Sequence, residues 1–206
     1  MKLIKQTLII LFVLFSNLAQ AEPVAGKDYK LVDPPQATST GNKIEVMEFF
    51  FYGCSHCFHL HPELVAWEKT MPKDVALIYV PTIFNASWEP MAYTYYALEA
   101  LGRINDLHND LFLAWNGNIV DLSDESKITA FVAKRGVDTQ KFGAAYHSFG
   151  VQSKIMRSKQ LAQTFKISGT PTIIVDGKYL ITGLQPAAAV KVMAELIDKA
   201  RKERKQ

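Results

Sequence analysis

The 206-residue sequence predicts an α/β domain interrupted by an all-helical subdomain, and three observations carry that expectation. Residues 44–52 and 75–80 are apolar runs rich in β-branched and aromatic side chains. A stretch with helical spacing joins them, which makes a strand–helix–strand crossover. From residue 85 to 150 the spacing stays helical and no strand is read. Near the end, two short apolar runs flank Asp176-Gly177 between two further helices, the pattern of a hairpin.

The chain opens with Lys2 and Lys5, an apolar run over residues 8–15, and Ala19-Gln20-Ala21. Positive charge, short apolar core and small-residue site together make a cleavable signal peptide. The apolar core is shorter than the roughly 20 residues a spanning helix needs, so cleavage after Ala21 and a soluble mature chain are expected. Residues 22–43 are broken by Asp33-Pro34-Pro35 and Gly41-Asn42 and read as loop, with a short edge strand at 29–32. The strand over 44–52 stops at Gly53, and Leu60, Leu64 and Trp67 give the next stretch a helical face. After Met71-Pro72 the run VALIYV is a second buried strand, ended by Pro81.

The helical block begins with Ser87 as the expected cap of a helix carrying Met91, Tyr95, Leu98 and Leu101, with Gly102 as its stop. Ile104, Leu107, Leu111 and Phe112 mark a second helix, which runs to Asn116-Gly117-Asn118. Ser123, Asp124 and Glu125 start a third, through Ile128, Phe131 and Val132 to Gly136, and Asp138 caps a short fourth through Phe142, Ala145 and Tyr146. A long helix over 151–165 follows, carrying Ile155, Leu161 and Ala162, and then Ser168-Gly169-Thr170-Pro171 leads into strands at 172–175 and 179–182. Pro186 fits the first turn of the last helix, whose apolar face is Val190, Met193, Leu196 and Ile197. The organisation is therefore signal peptide 1–21, first part of the α/β domain 22–84, helical insertion 85–150 and second part 151–206.

The chain has 23 Lys and Arg against 20 Asp and Glu. Losing residues 1–21 removes two lysines and no acid, so the mature protein is nearly neutral. That excludes the electrostatic footprint of a nucleic-acid binder. The basic tail of Lys199, Arg201, Lys202, Arg204 and Lys205 reads as a solvated, fraying helix end. About 185 mature residues, nearly half of them apolar, suffice for one domain with a sizeable core. Asn85-Ala86-Ser87 matches a glycosylation acceptor, a triplet common by chance.

The only two cysteines stand at Cys54 and Cys57, where the strand hands over to the helix. Free N–H groups and the positive end of the helix dipole at such a start favour an anion, here the Cys54 thiolate. A protonated His56 adds positive charge beside it, and both effects lower a cysteine pKa. Cys57 lies one turn on, placed to resolve a mixed disulfide formed at Cys54. A structural zinc site commonly needs four ligands, and no second pair is present; His59 and His61 read as surface residues of the helix. Haem attachment would need a histidine where Phe58 stands. A purely structural bridge over so short a loop stabilises little. A redox-active pair remains.

Strand, helix, strand, then helix, hairpin, helix, with CxxC at the first helix start, resembles the thioredoxin fold. Gly169-Thr170-Pro171 ahead of a strand resembles that family's cis-proline loop, although only about 5–6% of X-Pro bonds in folded proteins are cis. Such a proline places no N–H donor beside the reactive cysteine and leaves Thr170 free to hydrogen-bond an extended peptide. More narrowly, EFFFYGCSHC, GTPTIIVDGKY and the size of the helical insertion are similar to the DsbA family of periplasmic thiol oxidases, over essentially the whole mature chain.

That resemblance implies Cys54 as nucleophile, Cys57 as resolving cysteine, His56 as thiolate stabiliser, Pro171 as cis-proline, and Ser55 and Thr170 as substrate-contacting residues. It also implies Glu48 as a buried acid beneath the site, where the bland reading is a strand-edge carboxylate facing water. Two features depart from the family: Ser55-His56 stands in place of the best-known Pro-His, and VALIYV carries no lysine to pair with Glu48. The implied activity is donation of the Cys54–Cys57 disulfide to reduced, unfolded secreted proteins in the periplasm by a monomer. No cofactor is required beyond that disulfide, and a quinone-linked DsbB-type membrane partner restores it. A disulfide isomerase or reductant is the alternative within redox chemistry, although the roughly 20 residues ahead of the first main strand are too few for a separate dimerisation domain. A chaperone or peptide-binding module is the alternative outside it.

Overall fold

The computed structural model describes residues 22–117 and 122–205; the signal peptide expected over 1–21 and the turn residue Asn118 lie outside them. Five strands form one mixed sheet: β1 (Lys30–Leu31), β2 (Ile44–Phe50), β3 (Val75–Pro81), β4 (Thr172–Val175) and β5 (Tyr179–Thr182), in the order β1-β5-β4-β2-β3. β2 and β3 run parallel and the other pairs antiparallel. Every residue of β2 is buried, because it is covered on both faces. Side chains alternate along it: Val46, Glu48 and Phe50 point to one face, Met47 and Phe49 to the other.

On the first face lie α1 (Ser55–Glu68) and the last helix, whose Leu60, Leu64, Met193, Leu196 and Ile197 pack onto Val46, Ile173 and Val175. The helical block supplies α2 (Glu89–Ala100), α3 (Ile104–Asn116), α4 (Glu125–Ala133) and α5 (Thr139–Tyr146), and α6 (Phe149–Thr164) and α7 (Pro186–Glu203) complete the chain. On the second face Met47, Phe49, Val80 and Ile174 pack with Leu161, Ala162, Phe165 and Ile167. The block has its own core, to which β2 contributes Phe50 and the segment beyond it contributes Phe51, Tyr52 and Cys57. The end of β2 is thus the seam between sheet and helical block.

Local chemistry places most boundaries. Asp138 caps α5 by accepting from Gln140 N and Lys141 N, Pro186 opens α7, and Gly102 and Gly136 leave α2 and α4 with φ of 68° and 75°. Asp176 and Gly177 both adopt positive φ, as the tight hairpin turn requires. One start differs from expectation. Ser87 is not the cap: Asn85 accepts from its N–H to open a 3-10 turn at Ala86–Trp88, and α2 follows at Glu89. Within the expected start of α4, Asp124 is the cap, accepting from Lys127 N.

The basic tail does not fray. Arg201 binds Asp74 at 2.6 Å, Arg204 binds the buried Asp176 and the Asn42 carbonyl, and Lys178 reaches Glu203 at 3.0 Å. Acids on the loop before β3 and on the hairpin meet the cations of α7, so its last turns are fixed to the sheet.

Candidate active site

Gly53 makes the junction between β2 and α1. A Cβ there would lie 2.3 Å from the Phe51 ring and 2.8 Å from Trp115 Nε1, so only glycine lets the chain pass. The segment is held from the helical block by Asn116, whose amide donates to the Tyr52 carbonyl at 2.9 Å. Phe51 stacks on Trp88 with ring centroids 3.8 Å apart.

Cys54 then sits at the N-cap of α1, with its sulfur accepting from Cys57 N at 3.4 Å. Both cysteines carry free thiols; Cys54 is half-buried and Cys57 buried. The Cys54 thiol is pulled down from the ordinary range to about 5. The Cys57 side chain donating to it contributes most, and the Thr170 side chain and the N–H groups of Cys57 and His56 add to it, against a burial that acts the other way. Cys57 is pushed far up, first by burial, then by the hydrogen bond it gives Cys54 and the nearby charges of Glu48 and Cys54. One sulfur is thus an anion at neutral pH and the other a thiol.

The Thr170–Pro171 bond is cis, and in its thiol form Cys54 donates to the Thr170 carbonyl at 3.2 Å across a sequence separation of 116 residues. A groove of about 530 Å³ runs from His56 and His59 past Thr170 and Pro171 to Leu184 and Pro186. Ser55 and His56 are exposed at the start of α1, and only His56 reaches that groove.

Glu48 lies beneath the pair, 1% exposed, with no hydrogen-bond partner on either carboxylate oxygen. Its neighbour Glu45 differs in accepting from Ser39 N and Oγ at 2.8 and 2.6 Å. Without such donors, burial first and the Cys54 charge second raise Glu48 to about 8. The residue directly across the ladder, where a lysine is missing, is Tyr79.

Sequence reasoning missed two buried histidines. His61, read as a surface residue, is 3% exposed, and His108 of α3 is 7% exposed. Burial drives both away from the charged form, His61 to about 4. The signal was their phase. His61 follows Cys57 by four residues and precedes Leu64 by three, and His108 shares a helical face with Leu111 and Phe112.

A family model described as DSBA-like thioredoxin domain matches residues 45–195. The thiol:disulfide interchange protein DsbA of Bordetella parapertussis is 39% identical over 193 residues, covering 92% of this chain and 91% of that protein. The protein of the same description from Pseudomonas aeruginosa is 34% identical over 203 residues, covering 97% and 96%. Among solved structures, P. aeruginosa DsbA superposes with a TM-score of 0.85 at 33% identity over 89% of this chain and 97% of that one. The oxidoreductase DsbA from Xylella fastidiosa gives 0.83 at 30% identity over 88% and 100%.

Proposed function

The chain belongs to the DSBA-like thioredoxin domain family, and on that premise we propose that it donates its Cys54–Cys57 disulfide to reduced secreted proteins as they fold. It is a thiol:disulfide oxidoreductase. The observation that carries the direction of transfer is the asymmetry of the two thiols. A Cys54 held as thiolate stabilises the reduced state, and a stable reduced state makes the disulfide an oxidant.

A substrate thiolate attacks Cys54, whose sulfur is the more accessible of the two, and Cys57 leaves. The substrate lies extended along the groove, where Thr170 offers backbone groups for hydrogen bonding and His56 flanks the reacting sulfur. A second substrate thiolate then displaces Cys54. The substrate gains a disulfide, and the enzyme gains two electrons and one proton, as a Cys54 thiolate and a Cys57 thiol. The second substrate proton goes to solvent. Glu48, titrating at about 8, exchanges the proton of Cys57. The two sulfurs carry the electrons, so the step requires no other cofactor.

Each turnover consumes the disulfide, and a quinone-linked DsbB-type membrane protein restores it. Among the described residues no helix is long and apolar enough to cross a membrane. The proposed site of action is the periplasm, reached through the signal peptide at 1–21, and the proposed working form is a monomer. The test is the equilibrium reduction potential of the pair in glutathione buffers, read from alkylated fractions. A strongly oxidising value supports the donor; a value near that of thioredoxin, roughly −270 mV, identifies a reductant instead.

A further inference from the structure

The turn that delivers Cys54 has more freedom in its sequence than in its structure. Phe51 to Cys54 form a β-turn, closed by the Cys54 N–H donating to the Phe51 carbonyl at 3.0 Å. Tyr52 and Gly53 are its central residues. The peptide between them can face either way in such a turn, as type I or type II, and glycine at the third position removes the steric cost of type II. Gly53 does not take the positive φ that type II requires. A contact from outside the turn therefore selects the orientation.

Asn116, the last residue of α3, supplies that contact. Its Nδ2 donates to the Tyr52 carbonyl, the oxygen of the central peptide, at 2.9 Å, and to the Phe112 carbonyl one turn back on α3 at 2.9 Å. Both amide hydrogens are used, and a group wedged between two carbonyls is the donor end of the amide. A flipped peptide would aim the Gly53 N–H at this nitrogen and strip the Tyr52 carbonyl of its partner. Tyr52 is buried, so that carbonyl depends on Asn116 rather than on solvent. The same helix holds Tyr52 at its far end as well: His108, eight residues earlier on α3, has Nδ1 2.7 Å from the Tyr52 hydroxyl.

We propose that Asn116 is a positioning residue for thiol exchange: by locking the Tyr52–Gly53 peptide it holds the Cys54 sulfur at the Cys57 N–H and beside Thr170, and so couples the reactive thiol to the helical block. Resting on the thiol-exchange reading above, this role adds to its machinery a residue that touches neither substrate nor sulfur. The Cys54 sulfur lies 3.4 Å from Cys57 N and 3.2 Å from the Thr170 carbonyl. Hydrogen bonds weaken steeply as distance and angle slip, so a turn that samples two orientations loosens both contacts. A thiolate with looser donors is less stable, and its disulfide is a weaker oxidant.

The test uses the full mature protein, read by thiolate absorbance at 240 nm across pH and by equilibrium with glutathione. Asn116→Leu keeps the bulk of the side chain and removes both donors without adding charge. It is expected to raise the Cys54 midpoint by about half a pH unit or more, and to make the disulfide roughly threefold less oxidising, the same free energy read two ways. Ile128→Val is the control. It trims the buried core of the helical block on α4, away from the turn, so urea unfolding shifts while the Cys54 midpoint stays at the wild-type value. Should Asn116→Leu fail to fold, Asn116→Ala carries the same expectation. A wild-type midpoint in the folded Asn116 variant, or an equal rise in Ile128→Val, overturns the assignment. If the wild-type disulfide itself fails to oxidise glutathione, the donor reading fails, and the midpoints still decide the role of Asn116.

Discussion

At the scale of single residues, the chemistry rests on two groups displaced from their ordinary protonation in opposite senses. Cys54 reaches about 5 chiefly through the Cys57 side chain, so reduced protein titrates its thiolate absorbance at 240 nm near that pH, and Cys57→Ala moves the midpoint upward. An unchanged midpoint would assign the effect to the backbone alone. Glu48 carries the opposite sign. Its native value of about 8 lies above the usual 4.5, so folded protein keeps a proton that the unfolded chain has lost. The contribution of Glu48 to stability therefore declines as pH rises from about 4.5 to about 8, while that of Cys54 in reduced protein runs the other way. Glu48→Gln removes that decline. Urea unfolding of reduced protein at pH 5 and pH 8 is expected to show the variant gaining on wild type by on the order of a few kcal/mol. Parallel pH profiles would contradict the buried, partnerless carboxyl. The burial of Glu48 was foreshadowed by apolar neighbours on both sides, whereas Tyr79 as its ladder partner was not, because register across a parallel pair is set by a helix and two loops rather than by local sequence.

At the scale of elements, turn and cap residues mark where strands and helices begin when a single side chain decides the matter. Asp138 is such a case, accepting from both Gln140 N and Lys141 N, and Asp138→Ala is expected to cost about 1 kcal/mol in chemical denaturation. Where two polar residues compete, the outcome depends on which one accepts. Asn85 accepts from both the N–H and the hydroxyl of Ser87, so Ser87 becomes a donor, a 3-10 turn intervenes and α2 starts one residue later than a Ser87 cap would place it. Gly53 belongs here as well, because its meaning comes from Trp115 on α3. Gly53→Ala forces a methyl group against two rings and is expected to cost about 1–3 kcal/mol, with thiol-exchange rates falling as α1 shifts. A variant with wild-type stability would show that the junction yields freely.

At the scale of the whole molecule, the last helix closes the structure through charge as well as through its apolar face. Asp176 is buried at the hairpin turn, with Arg204 and Lys178 as its partners. Arg204→Ala leaves that carboxylate one cation short and is expected to lower the free energy of unfolding by about 1–3 kcal/mol. If the loss stayed within a few tenths, the tail would be the loose end its composition suggested. That composition, five cations within seven residues, carries no information about Asp74 and Asp176, which are far away in sequence and meet it only after folding.

Periodicity, caps and the CxxC spacing by themselves determined the order of strands and helices, the helical insertion and the placement of Cys54 at a helix start, because each depends on neighbours within a few residues. The resemblance carried by EFFFYGCSHC and GTPTIIVDGKY added the family and its cis-proline loop. Only the tertiary structure decided that Thr170 meets Cys54 across 116 residues, that His61 and His108 turn inward and pack ring against ring, and that the basic tail is anchored. The physical reason is common to all three. A histidine or arginine has the same local pattern whether it faces water or a buried acid, and which of these it faces is fixed by packing between elements far apart in the chain.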